Sequence, residues 1–168
     1  MSRNTCNSNK MRKVIVFLVL ILSAIFYTQA QVEPHAIGIR FGGNGDINGG
    51  EFSYQHGLGN HNRFEFDLGF SGNKTDDNMF LAGIYHWDMN ISNGLNWFIG
   101  PGAVLGFHST KVYDDYYSIG LGGQIGIEYN FNNQAPFLIS IDARPMWDFV
   151  GSDRGFGWGA SLGLRYTW

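Results

Sequence analysis

GASLGLRYTW (Gly159–Trp168) closes the chain, and its reading decides the fold. Ala160, Leu162, Leu164, Tyr166 and Trp168 alternate with Gly159, Ser161, Gly163, Arg165 and Thr167. A period of two is the pattern of a strand with one apolar face. Extended backward, the apolar face gains Phe156 and Trp158 and the other face gains Gly157. Its rings therefore lie at both ends, with Ala160, Leu162 and Leu164 between them. Amphipathic rings favour the two membrane–water interfaces, so this is the girdle pattern of a strand that crosses a bilayer. Chain ends ordinarily fray. A tryptophan at this end predicts a closing strand, paired on both sides and anchored in a girdle.

The same alternation recurs from His35 onward, with no helical period. RFEFDLGFS (63–71) sets Phe64, Phe66, Leu68 and Phe70 against Glu65, Asp67, Gly69 and Ser71. YSIGLGGQIGIEYNF (117–131) sets Tyr117, Ile119, Leu121, Ile125, Ile127, Tyr129 and Phe131 against a face of Ser, Gly, Gln, Glu and Asn. FLISIDARPMW (137–147) sets Phe137, Ile139, Ile141, Ala143 and Trp147 against Ser140, Asp142 and Arg144. A soluble sandwich alternates too, with the apolar face inside. The aromatic ends argue for the opposite facing, and so does length. Several runs reach 11 to 14 residues, which meets the ~9–11 that a tilted spanning strand needs.

KMRKVIVFLVLILSAIFYTQAQ (10–31) has basic residues, an apolar run over 14–27 and small residues up to Ala30. That is the layout of a cleavable signal peptide over residues 1–30, leaving a barrel domain over 31–168. The apolar run is short of the ~20 residues of a spanning helix. Cys6 precedes the run, so it does not read as a lipid-attachment cysteine, and the remainder has neither a disulfide nor a thiol nucleophile. The remainder carries seven basic and fourteen acidic residues, a net charge of −7. Nucleic acid, which needs basic patches, is a poor partner for it.

Eight strands are expected, at 35–43, 50–57, 62–71, 78–89, 95–107, 117–130, 136–147 and 155–168. The periplasmic turns read GLGNHN (57–62), NISNG (90–94) and FNNQAP (131–136), and the outer loops are short. The facing of 50–57 and 78–89 stays open. G-x-G-x-x-x-G occurs at 100–106, 120–126 and 157–163. It is not the G-x-G-x-x-G of a nucleotide site, which must open a helix. Its same-parity glycines belong inside, making room for large charged neighbours across a narrow lumen. By parity the inward charges are Arg40, Glu65, Asp67, Glu128, Asp142, Arg144 and Arg165. Confined together they pair and fill the bore, since an unpaired buried charge is costly.

With the signal peptide, eight alternating strands, girdles, inward Gly and charge, and the terminal R-Y-T-W, the chain resembles the small eight-stranded outer-membrane barrels of the OmpA/OmpX type. The resemblance implies an antiparallel up-and-down transmembrane β-barrel in the outer membrane of a Gram-negative bacterium, embedded in lipid and lipopolysaccharide. It implies that Trp168 ends a signal read by the barrel-assembly machinery, where phenylalanine is more usual. The periplasmic peptidoglycan-binding domain of OmpA has no counterpart here.

No catalytic, cofactor or metal residue is assigned. Some barrels of this size modify lipid A, and the deacylase kind resembles a His and Ser two apart on one strand face. Here His108 and Ser109 are adjacent and face opposite ways, while His108 and Thr110 share a face. His86 and Asp88 also share a face, at an end the sequence does not fix. An outer rim of Asp46, Asp76, Asp77, Asp114, Asp115, Asp148 and Asp153 against Lys74, Lys111 and Arg154 suits weak divalent-cation contact or simple solvation. The five histidines are scattered, and the N-x-S/T sequons at 73–75 and 90–92 carry no weight in a bacterial protein. The favoured expectation is a monomeric barrel with a plugged lumen and a structural or surface-interaction role, without catalysis. The alternatives are a lipid-A-modifying enzyme, marked by a rim Ser or Thr within reach of a His, and a narrow channel.

Overall fold

The computed structural model describes residues 35–43, 49–59, 61–72, 76–110, 116–131, 135–150 and 155–168. The signal segment and most loop residues lie outside these. Eight strands follow in order: β1 (His35–Gly43), β2 (Gly49–Gly57), β3 (Asn62–Gly72), β4 (Asp76–Ser92), β5 (Leu95–Thr110), β6 (Tyr116–Asn130), β7 (Phe137–Val150) and β8 (Gly155–Thr167). Each pairs antiparallel with its neighbours, and β8 returns to β1, closing the barrel. His35, Trp168 and the connections that join β2 to β3, β4 to β5 and β6 to β7 define one end, called here the terminal end. The other four connections define the loop end.

The seam between β1 and β8 runs from Ala36↔Thr167 to Gly43↔Ala160. Beyond it, the Trp168 N–H donates to the His35 carbonyl at 3.1 Å, and the Thr167 N–H donates to the Pro136 carbonyl at 2.9 Å. The rings of Tyr54, His35 and Tyr166 all lie within 6.4 Å of the Trp168 ring. The last residue is thus held by backbone and ring contacts together.

The molecule is inside-out. Among the described residues, 33 large hydrophobic side chains are exposed and only five hydrophobic residues are buried, against 17 buried polar or charged ones. A water-soluble sandwich would show the reverse. The outer face carries an aliphatic band, including Ile39, Leu68, Leu121, Ile127, Ile141 and Leu164. Rings flank it at the terminal end (Trp87, Tyr129, Tyr166, Trp168) and at the loop end (Phe70, Trp147, Phe156, Trp158).

The two strands of open facing are now placed. Ser53 and Gln55 of β2 point inward, as do Ala82, Ile84, His86 and Asp88 of β4. The β4 sequence is apolar on both faces, which is why alternation could not orient it. At the loop end β4, β5 and β7 run two or three residues further than their composition suggests, and β2, β3 and β6 one residue. Asp76 pairs with Thr110 and Asp148 with Gly155, so polar strand ends were read as loop. The 90–94 turn tightens to Asn93-Gly94, where Gly94 takes φ +78° and a Cβ would come within 2.5 Å of the Asn130 carbonyl oxygen. Pro101 and Pro145 each sit in a gap in a ladder, at 100–101 on β5 and 144–145 on β7. Proline has no N–H to offer there.

Leu162 pairs with Phe41 and Ile141 on the outer face, near the middle of β8. Leu162→Arg is expected to destabilise the barrel in lipid vesicles by about 2–4 kcal/mol, the cost of a charge near the bilayer midplane. Leu162→Met, a volume-conserving swap, is expected to cost below about 1.5 kcal/mol. Denaturant titration measures both. A negligible cost for the arginine would place this face in water.

Candidate functional site

The lumen is organised around four arginines from four strands. Arg40 of β1 donates to Glu51, Asp67 and Asp142, with Asp67 at 3.0 Å. Arg144 of β7 donates to Asp67, to Glu51 at 3.2 Å and to Gln124 at 3.4 Å. Arg165 of β8 donates to Glu65 at 2.9 Å, Ser53 at 3.0 Å and Ser140 at 2.8 Å. Gln55 and Gln124 complete Glu65, at 2.5 and 3.2 Å. Arg40, Glu65 and Asp67 are fully buried.

Toward the terminal end a second group stands apart. Arg63 of β3 makes a two-pronged contact with Glu128, at 2.9 and 2.6 Å, and an ion pair with Asp88 at 3.1 Å. Its guanidinium lies 5.1 Å from the centre of the Phe98 ring, which also packs on His86 at 4.6 Å. A planar fork suits such bidentate, ring-backed pairing better than an ammonium does.

All seven inward charges expected from parity are inside; six meet in the central cluster, and Glu128 pairs with Arg63 in the second group. Glu51, Arg63 and Asp88 join them. Six carboxylates thus share four guanidinium groups, so an arginine serves more than one acid. Parity would have supplied Arg63, which shares a face with Glu65; Glu51 and Asp88 lay on the strands whose facing was open.

The expectation for the glycines needs correction. They do face inward, but the groups that use their space sit mainly on adjoining strands and several are apolar. A Cβ on Gly102 would meet Ile84 at 2.6 Å and one on Gly126 would meet both Phe98 and the Asp142 Cβ at 2.6 Å, while one on Gly163 would meet Arg165 at 2.8 Å; outside the repeated spacing, one on Gly69 would meet the Phe80 ring at 2.2 Å. Phe80, Ile84, Phe98 and Leu138 thus add an apolar part to a lumen that alternation had painted as polar.

His86 and Asp88 lie near the terminal end of β4, buried against Arg63 and Phe98. His108 faces in and Ser109 is exposed, as their adjacency required. The side chain of Thr110 and most of the acidic rim lie outside the described residues.

One arrangement at the loop end was not anticipated. The ladders align Ser71, Asn78, His108 and Tyr116 in one inward row across β3 to β6. Asn78 Oδ1 lies 2.9 Å from His108 Nδ1, and Ser118 Oγ lies 3.0 Å from His108 Nε2. The Tyr116 ring stacks on the imidazole at 4.6 Å and 13°. Sequence spacing held no sign of it, because Asn78, His108 and Ser118 come from three strands and meet only through register.

No family model matches the sequence, and no curated protein matches it. Among solved structures the chain is similar to neisserial surface protein A (18% identity, TM-score 0.56, covering 80% of this chain and 96% of that one). It is also similar to the N-terminal β-barrel domain of OprF from Pseudomonas aeruginosa (16% identity, TM-score 0.55, covering 84% and 100%). The chain has the fold of the small eight-stranded outer-membrane β-barrels.

Removing one partner of a buried ion pair strands the other charge. Glu65→Leu, which leaves Arg165 and Arg40 short of a carboxylate, is expected to lower unfolding stability by about 3–5 kcal/mol. Glu51→Gln, at an acid that is 11% exposed, is expected to cost less. Equilibrium unfolding in detergent or vesicles checks the order.

Proposed function

We propose that this protein is an integral outer-membrane barrel with a closed lumen and a structural or surface-interaction role. The observation that carries the reading is the buried network of Arg40, Arg63, Arg144 and Arg165 with six carboxylates. An eight-stranded bore is only wide enough for side chains to fill. Here the side chains that fill it are tied across the wall in pairs, which supports a plug rather than a pore. The central lumen charges do no chemistry in this reading, since their task is to hold each other.

Residues 1–30 act as the export signal, cleaved after Ala30, and 31–168 form the barrel. The outer aliphatic band contacts lipid, and the loop end meets lipopolysaccharide. β8, ending in Trp168, is the segment offered to the barrel-assembly machinery. The closed, edge-free wall suits a monomer.

The test is single-channel recording in planar bilayers, with heat-modifiable gel migration as the folding control. A folded barrel is expected to give no discrete steps. Reproducible unitary steps from the folded species would overturn the plug and favour a narrow channel.

A further inference from the structure

We propose that Asn78, His108 and Ser118 form a hydrolytic array at the loop end, acting on carboxylic esters of long acyl chains. The array goes beyond the closed-barrel reading. Its geometry stands without that reading, while the choice of a lipid ester rests on it.

The hydrogen bonds suit the His108 tautomer that carries its proton on Nδ1. An amide oxygen only accepts, so Asn78 Oδ1 takes the proton of His108 Nδ1–H. Nε2 then presents its lone pair, and the Ser118 hydroxyl donates to it. A nucleophile bonded to a base that a third group orients is the arrangement of acyl-transfer hydrolases. Each member stands on a different strand of a closed sheet, which fixes the geometry. Ser118 sits opposite Gly106, and a Cβ at that glycine would lie 2.5 Å from Oγ and 2.9 Å from Nε2. A side chain in place of this glycine would crowd the contact between nucleophile and base.

A cavity of about 820 Å³ opens at the same end, lined in part by Asn78, His108 and Tyr116; Ser118 is outside its lining and is reached through the imidazole, 3.0 Å from Nε2. Its remaining wall includes Phe70, Met79, Phe107 and Tyr117, adjacent outward positions on β3 to β6. Such a cavity has an apolar wall continuous with the lipid face and a polar side ending in the imidazole. An acyl chain suits the first and an ester group the second.

In the first step Ser118 Oγ bonds to the ester carbonyl carbon and its proton passes to His108 Nε2. Collapse breaks the bond to the leaving oxygen, which departs as an alcohol with that proton. Water then gives a proton to Nε2 and its oxygen bonds to the acyl carbon. Collapse releases the fatty acid, and Ser118 Oγ recovers the proton. The β5–β6 ladder is unbroken from Leu95↔Tyr129 to His108↔Tyr116, so its N–H groups stay in the sheet. The described strands thus supply no backbone oxyanion hole, a feature whose single donors are worth about 10²–10³ in rate, and turnover is expected to be slow. Labelling is therefore the sharper readout.

The chain, expressed into outer membranes and extracted in detergent, is treated with a fluorophosphonate probe and mapped by mass spectrometry. Ser118 is expected to carry the label. Ser118→Ala is expected to abolish labelling, and His108→Ala to slow it by about 10²-fold or more, both in barrels that keep heat-modifiable migration. Asn78 is a positioning residue: Asn78→Leu is expected to lose labelling and Asn78→Asp to restore it. Fatty-acid release is then measured from phosphatidylglycerol vesicles and from lipopolysaccharide, and the active arm names the source of the ester. A folded barrel with no label, or with the label on another serine, overturns the array. Labelling without release from either lipid overturns the substrate class.

Discussion

A sheet in hydrocarbon cannot leave an edge, because every free N–H and carbonyl there lacks a partner. The β1–β8 seam answers that constraint, and the rest of the barrel follows from it. Closure puts one face of each strand against lipid and the other into a narrow bore. Outward positions must then be apolar, with rings at the two interfaces. Inward positions must either be small or satisfy one another. The glycines, the arginines and the carboxylates are the two solutions to that second demand, set side by side along the same strands.

The period of two was legible because closure acts on every residue of every strand. It gave eight strands, the outward band and the seven charges whose strands alternate cleanly. It failed on β4, where Met79, Phe80, Leu81, Ala82, Gly83 and Ile84 are apolar or small on both faces, and a one-residue slip leaves the pattern unchanged. It also misjudged what glycine makes room for. Parity says which face a residue takes, and says nothing about which neighbour leans over it. Phe80 over Gly69 and Phe98 against Gly126 depend on register between strands.

The row at the loop end shows the same limit more sharply. His108 had a serine beside it in sequence, Ser109, and the pleat sends that serine the other way. The serine that reaches the imidazole is ten residues on, across a connection and two pairs along the ladder. Asn78 lies thirty residues back on the opposite neighbour. Such a grouping exists only once three strands are in register. The central network is similar in kind, but its members were legible one by one because charge on a lumen face is conspicuous.

The sequence separation within that network has a consequence for how the barrel is made. Arg40 is held by partners 11, 27 and 102 residues away, and Arg165 by Glu65 at a separation of 100. The nearest acid, on β2, is available from the first hairpin; Asp142 arrives with the seventh strand. A half-built sheet therefore displays bare ions on the face that will become its interior, and hydrocarbon would reject them. The network reaches its full set of partners only when the last strands are in place, so the wall and its filling are completed together.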